Sequence, residues 1–155
     1  MNVESKNEKV PTILIVDDNE QNVELMQAYL EELDCDTLSA YNGREALDVV
    51  EKNQPDLLLL DIMMPQMSGF EVCKRLKADS RTKDIPIIMV TALNEFGDIE
   101  RGIDSGTDDF VSKPVNKLEL LARVRTMLKL KHLSDRLERT LAYLSEIEQT
   151  QGEQR

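Results

Sequence analysis

Four short apolar runs each lead into residues that could handle phosphorus. Val16 is followed by Asp17-Asp18, Leu60 by Asp61 and Val90 by Thr91-Ala92, while Phe110-Val111 leads through Ser112 to Lys113-Pro114. If these ends converge, three carboxylates repel: at about 4 Å and an effective dielectric of about 20, each pair costs about 4 kcal/mol. A divalent cation and the Lys113 ammonium would set three positive charges against three negative ones, and an all-oxygen donor set suits Mg²⁺. In such a site Asp61 is the candidate nucleophile, attacking phosphorus to form an acyl phosphate. Lys113 and the Thr91 hydroxyl would receive the incoming oxygens, and Ala92 leaves room for the donor. No Ser-His-Asp relay is available, because the single histidine, His132, lies far along the terminal segment.

Taken singly these signals are weak. Asp-Asp after a strand is often a helix cap, Lys-Pro alone means a turn, and Gly69, Gly106 and Pro65 read as backbone devices for a helix start and turns. Their joint placement on one alternating pattern gives the signal its strength. Strands are expected at Thr12–Val16, Thr37–Ala40, Leu57–Leu60, Pro86–Val90 and Phe110–Val111. Helices are expected at Gln21–Leu33, Gly43–Asn53, from Ser68-Gly69 to Ala78, at Glu95–Ser105 and from Lys117 onward. Continuous apolar strands separated by helices imply a parallel sheet covered on both faces. Such sheets gather functional side chains outside the carboxyl ends of their strands.

From Lys117 to about Thr150 only helix-compatible residues occur. Leu118, Leu121, Val124 and Leu128 would pack on the domain. Leu130, Leu133, Leu137, Leu144 and Ile147 then fall at a and d positions of a heptad, with Thr140 at one d and Leu141 beside it. The expectation is a coiled-coil homodimer over 131–150, following a domain at 11–130, with disordered ends at 1–10 and 151–155. His132 falls at position c, on the solvated side.

The chain has 155 residues, a net charge of −11 and 41% hydrophobic residues, which fits one soluble domain with an extension. That acidity speaks against nucleic acid, whose binding relies on Lys and Arg. No apolar run is long enough to span a membrane and the polar start is no secretory signal, so a cytoplasmic location is expected. Cys35 and Cys73 lack metal or redox spacing and read as reduced, buried thiols.

ILIVDDNEQN, LLLLDIMMPQMSGFEVCKRLK, PIIMVTAL and GTDDFVSKPVNKLELLARVR occur here in that order. Over about Thr12 to Leu130 the chain resembles the receiver domains of bacterial two-component response regulators, most of all the first receiver of PleD-type regulators. The resemblance implies a flavodoxin-like (βα)5 fold with strand order 2-1-3-4-5 and an extended C-terminal helix. It implies that Asp61 accepts a phosphoryl group from a sensor histidine kinase or phosphotransfer protein, with Thr91 and Lys113 holding its oxygens. Asp18 would bind Mg²⁺ directly, Asp17 through water or as the second acid, and Met63 through its backbone carbonyl. Thr91 and the aromatic Phe110 would form the conformational switch, and Lys113-Pro114 would be cis, at little cost for an X-Pro bond. Members of the family also dimerise through the fourth helix, fifth strand and fifth helix, where Asp108, Asp109, Arg101, Arg123 and Arg125 could pair.

The expected role is therefore a phosphoacceptor signalling domain rather than an enzyme, or the N-terminal receiver of a larger regulator with a cyclase or kinase output. A haloacid-dehalogenase-type phosphohydrolase would need an acid two residues after the nucleophile, where Met63 stands. A dinucleotide or P-loop domain would need glycine motifs that do not occur here.

Overall fold

The computed structural model describes residues 9–92 and 96–153. In chain order the elements are β1 (Thr12–Val16), α1 (Glu20–Leu30), β2 (Asp36–Ala40), α2 (Gly43–Asn53), β3 (Leu57–Asp61), α3 (Gly69–Ala78), β4 (Ile87–Thr91), α4 (Phe96–Ser105), β5 (Asp109–Ser112) and α5 (Lys117–Glu153). The five strands form one parallel sheet in the order β2-β1-β3-β4-β5. This is the flavodoxin-like arrangement expected from the sequence.

Period-2 alternation sorts the strand residues onto two cores. Leu14, Val16, Leu58, Leu60, Ile87 and Met89 pack with α2 and α3 residues such as Val50, Phe70 and Val72. Ile13, Ile15, Leu57, Leu59, Ile88 and Val90 pack with Val23 and Met26 of α1 and Leu120, Leu121 and Val124 of α5. β3 and β4 are buried throughout, which is why their sequences read as unbroken apolar runs.

Register fixes the working edge. Val16 pairs with Leu60, Asp61 with Val90 and Thr91 with Ser112, so the residues that end β1, β3, β4 and β5 come out at nearly one level. Side-chain caps start the helices that follow. Asn19 Oδ1 accepts from the Gln21 backbone N–H at 2.9 Å, Asn42 from Glu45 at 2.8 Å, and Ser68 Oγ from Glu71 at 3.3 Å.

The boundaries depart from expectation where local hydrogen bonding decides them. α1 stops at Leu30 rather than Leu33, because Glu31 N–H turns back to the Ala28 carbonyl and tightens the last turn. Pro86, lacking an N–H, stays outside β4, although its carbonyl accepts from Leu58 at 3.0 Å. β3 and β4 each run one residue further than expected, so Asp61 and Thr91 belong to the strands themselves. β2 and β5 are likewise longer, and α5 continues past Thr150 to Glu153. The expected helix start at Glu95, most of the 1–10 segment and the last two residues lie outside the described residues.

α5 spans 37 residues, about 55 Å at about 1.5 Å per residue. Its first turns bury Leu120, Leu121 and Val124, while Leu118 is exposed rather than packed on the domain. Further on, Leu130, Leu133, Leu137, Leu141 and Leu144 are all exposed. Among the described residues, no helix is long and apolar enough to cross a membrane. Cys73 is buried and Cys35 half-buried, both as free thiols.

Candidate functional site

Asp17 follows β1 directly and is fully buried. Its Oδ1 accepts from the Asn19 N–H at 2.9 Å, and its Oδ2 accepts from Lys113 Nζ at 2.9 Å and from Asn22 Nδ2 at 3.3 Å. Asp61, at the end of β3, is 3% exposed and accepts from the same Lys113 Nζ at 3.3 Å. Asp18 is exposed at the mouth. One carboxylate oxygen from each of Asp17, Asp18 and Asp61 lies within 4.8 Å of the others.

The electrostatics follow from two buried acids sharing one ammonium. Burial and then the nearby Asp17 charge raise the Asp61 pKa to about 6, while Lys113 and the Met63 backbone N–H pull it back only in part. Burial lowers the Lys113 pKa, but its hydrogen bonds and charge pairing with Asp17 and Asp61 outweigh that and hold it above the usual lysine value. Lys113 is thus firmly charged, and the charge deficit falls on Asp61. A hard dication fits this shortfall: three close carboxylates, one of them facing solvent, offer oxygen donors and excess negative charge.

Thr91 ends β4, buried, and its carbonyl accepts from the Lys113 N–H at 2.8 Å, which ties the two oxygen-binding candidates together through the backbone. The Lys113–Pro114 peptide is cis. Met63 lies two residues beyond Asp61 and is 76% exposed. Phe110, half-buried in β5, lies against α4. A Cβ on Gly102 would stand 2.5 Å from its Cζ, so the ring occupies the space that a side chain would need. Asp17, Asp18, Asp61 and Lys113 are therefore brought together at one mouth, with Thr91 beside them. Phe110 stands apart, on the α4 side of β5.

Three contacts were not visible in the sequence. Asn22 donates to Asp17 from the first turn of α1, and only its five-residue spacing from Asp17 hints at that. Gly69 does more than start α3: a Cβ there would lie 2.3 Å from the Asp61 carbonyl oxygen. The Arg101 guanidinium stacks over Phe70 at 4.4 Å, linking α4 to the start of α3. Three of the charges expected at the α4-β5-α5 face, Asp108, Asp109 and Arg123, find ion-pair partners within the chain. Arg123 grips Asp109 at 2.9 and 3.0 Å, and Asp108 binds Lys77 at 2.9 Å and the Ile87 N–H at 2.8 Å.

Residues 13–125 match the family described as the response regulator receiver domain. The chain is 43% identical over 125 residues to Response regulator PleD of Caulobacter vibrioides, covering 81% of this chain and 28% of that protein. It is 43% identical over 120 residues to the DNA-binding dual master transcriptional regulator RpaA of Synechocystis, covering 77% of this chain and 50% of that one. The chain thus spans half or less of these relatives' own length. Among solved structures, the signal receiver domain of a signal transduction histidine kinase from Syntrophus aciditrophicus superposes with a TM-score of 0.73 at 35% identity, covering 77% of this chain and 91% of that domain.

Proposed function

The chain belongs to the response regulator receiver domain family of two-component signalling, and we propose that it takes a phosphoryl group onto Asp61 in a Mg²⁺-dependent transfer. The observation that carries this reading is the single Lys113 ammonium held between Asp17 and Asp61, with Asp18 within reach of both. Mg²⁺, when bound, supplies positive charge for the acids and the incoming phosphoryl oxygens. Asp18 and Asp61 would hold it directly, Asp17 through water or as the second acid of the pair, and the Met63 backbone carbonyl would complete the protein's share.

The chain's own groups do the rest. Asp61 is anchored by a buried strand, so its carboxylate is presented at a fixed point. Its oxygen attacks phosphorus as the bond to the donor nitrogen, on a histidine kinase or phosphotransfer protein, breaks and the electron pair leaves with that nitrogen. Lys113 shifts its hydrogen bonds to a phosphoryl oxygen, the Thr91 hydroxyl binds another, and Phe110 changes packing against Gly102 as α4 adjusts. The domain assists its own phosphorylation and is a signalling module rather than a metabolic enzyme, located in the cytoplasm.

The α5 stripe is the proposed homodimer contact, with residues 131–150 as coiled coil beyond a receiver at 11–130, and the α4-β5-α5 face a second contact. The lengths of the relatives favour the further reading that this receiver serves a larger regulator. RpaA is named as DNA-binding and is twice the length matched; the net charge of −11 speaks only of this chain's surface.

Intact mass after acetyl phosphate treatment tests the central claim. One added phosphoryl group is expected, dependent on Mg²⁺, labile to hydroxylamine and absent in Asp61→Ala. An adduct that persists in Asp61→Ala refutes it.

A further inference from the structure

Asp17 is fully buried and held by three donors, of which two converge on one oxygen. Lys113 Nζ reaches Oδ2 at 2.9 Å and Asn22 Nδ2 reaches it at 3.3 Å, while Oδ1 is occupied by the Asn19 N–H at 2.9 Å. The donors differ in what they can do next. Lys113 sits on a flexible stem that also serves Asp61 at 3.3 Å, and a phosphoryl group on Asp61 competes for the same ammonium. Asn22 is a neutral amide fixed in the first turn of α1, where its own N–H bonds to the Asn19 carbonyl at 3.1 Å.

We infer that Asn22 is a positioning residue for the dication site: it keeps the Asp17 carboxylate oriented toward Asp18 and Asp61 when Lys113 turns to the phosphoryl group. The inference rests on the Mg²⁺ site proposed above. A buried carboxylate losing its one mobile donor would otherwise swing or draw in water, because an unmet buried acceptor is costly. With Asn22 in place one side-chain hydrogen bond on Oδ2 persists, and the aspartate's geometry is the same before and after transfer. Removing a hydrogen-bond partner of a metal ligand typically weakens metal binding by about 10- to 100-fold, which sets the expected scale.

The test is direct dication binding to the full chain, using Mn²⁺ followed by electron paramagnetic resonance, with no phosphodonor present. Wild type is compared with Asn22→Ala, Asn22→Leu and Asn22→Gln, and thermal melts in EDTA establish that each folds. About tenfold weaker binding in the Ala and Leu variants is expected, with Gln, which keeps an amide donor on a longer stem, recovering most of it. In the beryllofluoride-treated protein the loss should widen, since Lys113 is then engaged elsewhere. Equal Mn²⁺ affinity in wild type and both donor-less variants, with and without beryllofluoride, overturns the role of Asn22 and leaves the metal site standing. No Mn²⁺ binding by wild type overturns the metal site itself, and this inference with it. If one donor-less variant does not fold, the other decides.

Discussion

Gly69 and Asp61 touch through their backbones: a Cβ on Gly69 would lie 2.3 Å from the Asp61 carbonyl oxygen and 2.9 Å from the Ile62 Cα. Both neighbours are main chain, so neither can rotate away. Gly69 N–H also donates to the Ile62 carbonyl at 2.9 Å, clasping the start of α3 to the strand that presents the acceptor. Gly69→Ala is expected to destabilise the fold by about 1–3 kcal/mol through overpacking. It should also slow phosphorylation by acetyl phosphate by ~10-fold or more, because the displaced strand end misplaces the nucleophile. Urea unfolding and time-resolved intact mass measure the two effects; an alanine variant with wild-type stability would show that the loop yields freely.

The Asp61 pKa of about 6, against 3.8 for an ordinary aspartate, makes a signed statement about stability. Between those values the folded chain holds a proton at Asp61 that the unfolded chain has released, so this group's contribution to stability falls as pH rises through the window. The full effect, reached above pH 6, is on the order of 2–3 kcal/mol against the fold. Asp61→Asn, which mimics the neutral acid, should therefore be the more stable protein at pH 7.5 in EDTA and nearly equal to wild type at pH 4. Urea midpoints at the two pH values check this. Adding Mg²⁺ at pH 7.5 should raise the midpoint of wild type and narrow its gap to the variant.

Lys113→Met strips the one cation that, among the described residues, bonds two buried carboxylates, at 2.9 and 3.3 Å. Breaking a buried ion pair from one side costs about 3–5 kcal/mol, because the remaining charges lose their compensation. The loss should be largest at pH 7.5 and smaller at pH 5, where Asp61 takes up a proton, and part of it should return with millimolar Mg²⁺. Thermal melts across pH, with and without the metal, decide; a pH-independent loss would mean that Lys113 matters only through the packing of its stem.

The apolar runs were enough to place the sheet, since β1, β3 and β4 are buried on both faces and a continuous Leu or Ile run has no other stable home. The acids and Lys113 were legible because each ends an apolar run or stands within two residues of its end. Asn22 and Gly69 were not legible in their roles. A hydrogen bond from a helix turn back to a strand end depends on where α1 crosses, and a Cα pressed against a carbonyl depends on loop geometry, neither of which leaves a periodic trace. The end of α1 was misjudged for a similar reason: Leu33 continues the apolar spacing and still packs against the core, but from a turn rather than from the helix.

The exposed stripe on α5 yields the prediction with the widest consequence. Leu130, Leu133, Leu137 and Leu144 are each about half exposed or more, whereas Leu120, Leu121 and Val124 of the same helix are buried in the domain. Lys129, Lys131, His132, Asp135 and Arg139 line the groove beneath the sheet, so the domain occupies the other side of the helix and does not cover the leucines. Burying a leucine is worth about 1.5–3 kcal/mol, and a second copy presents the same spacing at the same height. Leu133→Glu with Leu144→Glu places like charges inside any such seam while leaving the receiver core untouched. Light scattering should give a dimeric mass for wild type and a monomeric mass for the double variant, with the rate of phosphorylation by acetyl phosphate unchanged. The same measurement with beryllofluoride reads whether the phosphorylated state tightens or loosens the pair. A monomeric wild type, with and without the mimic, would remove the coiled coil and leave α5 as a single exposed helix.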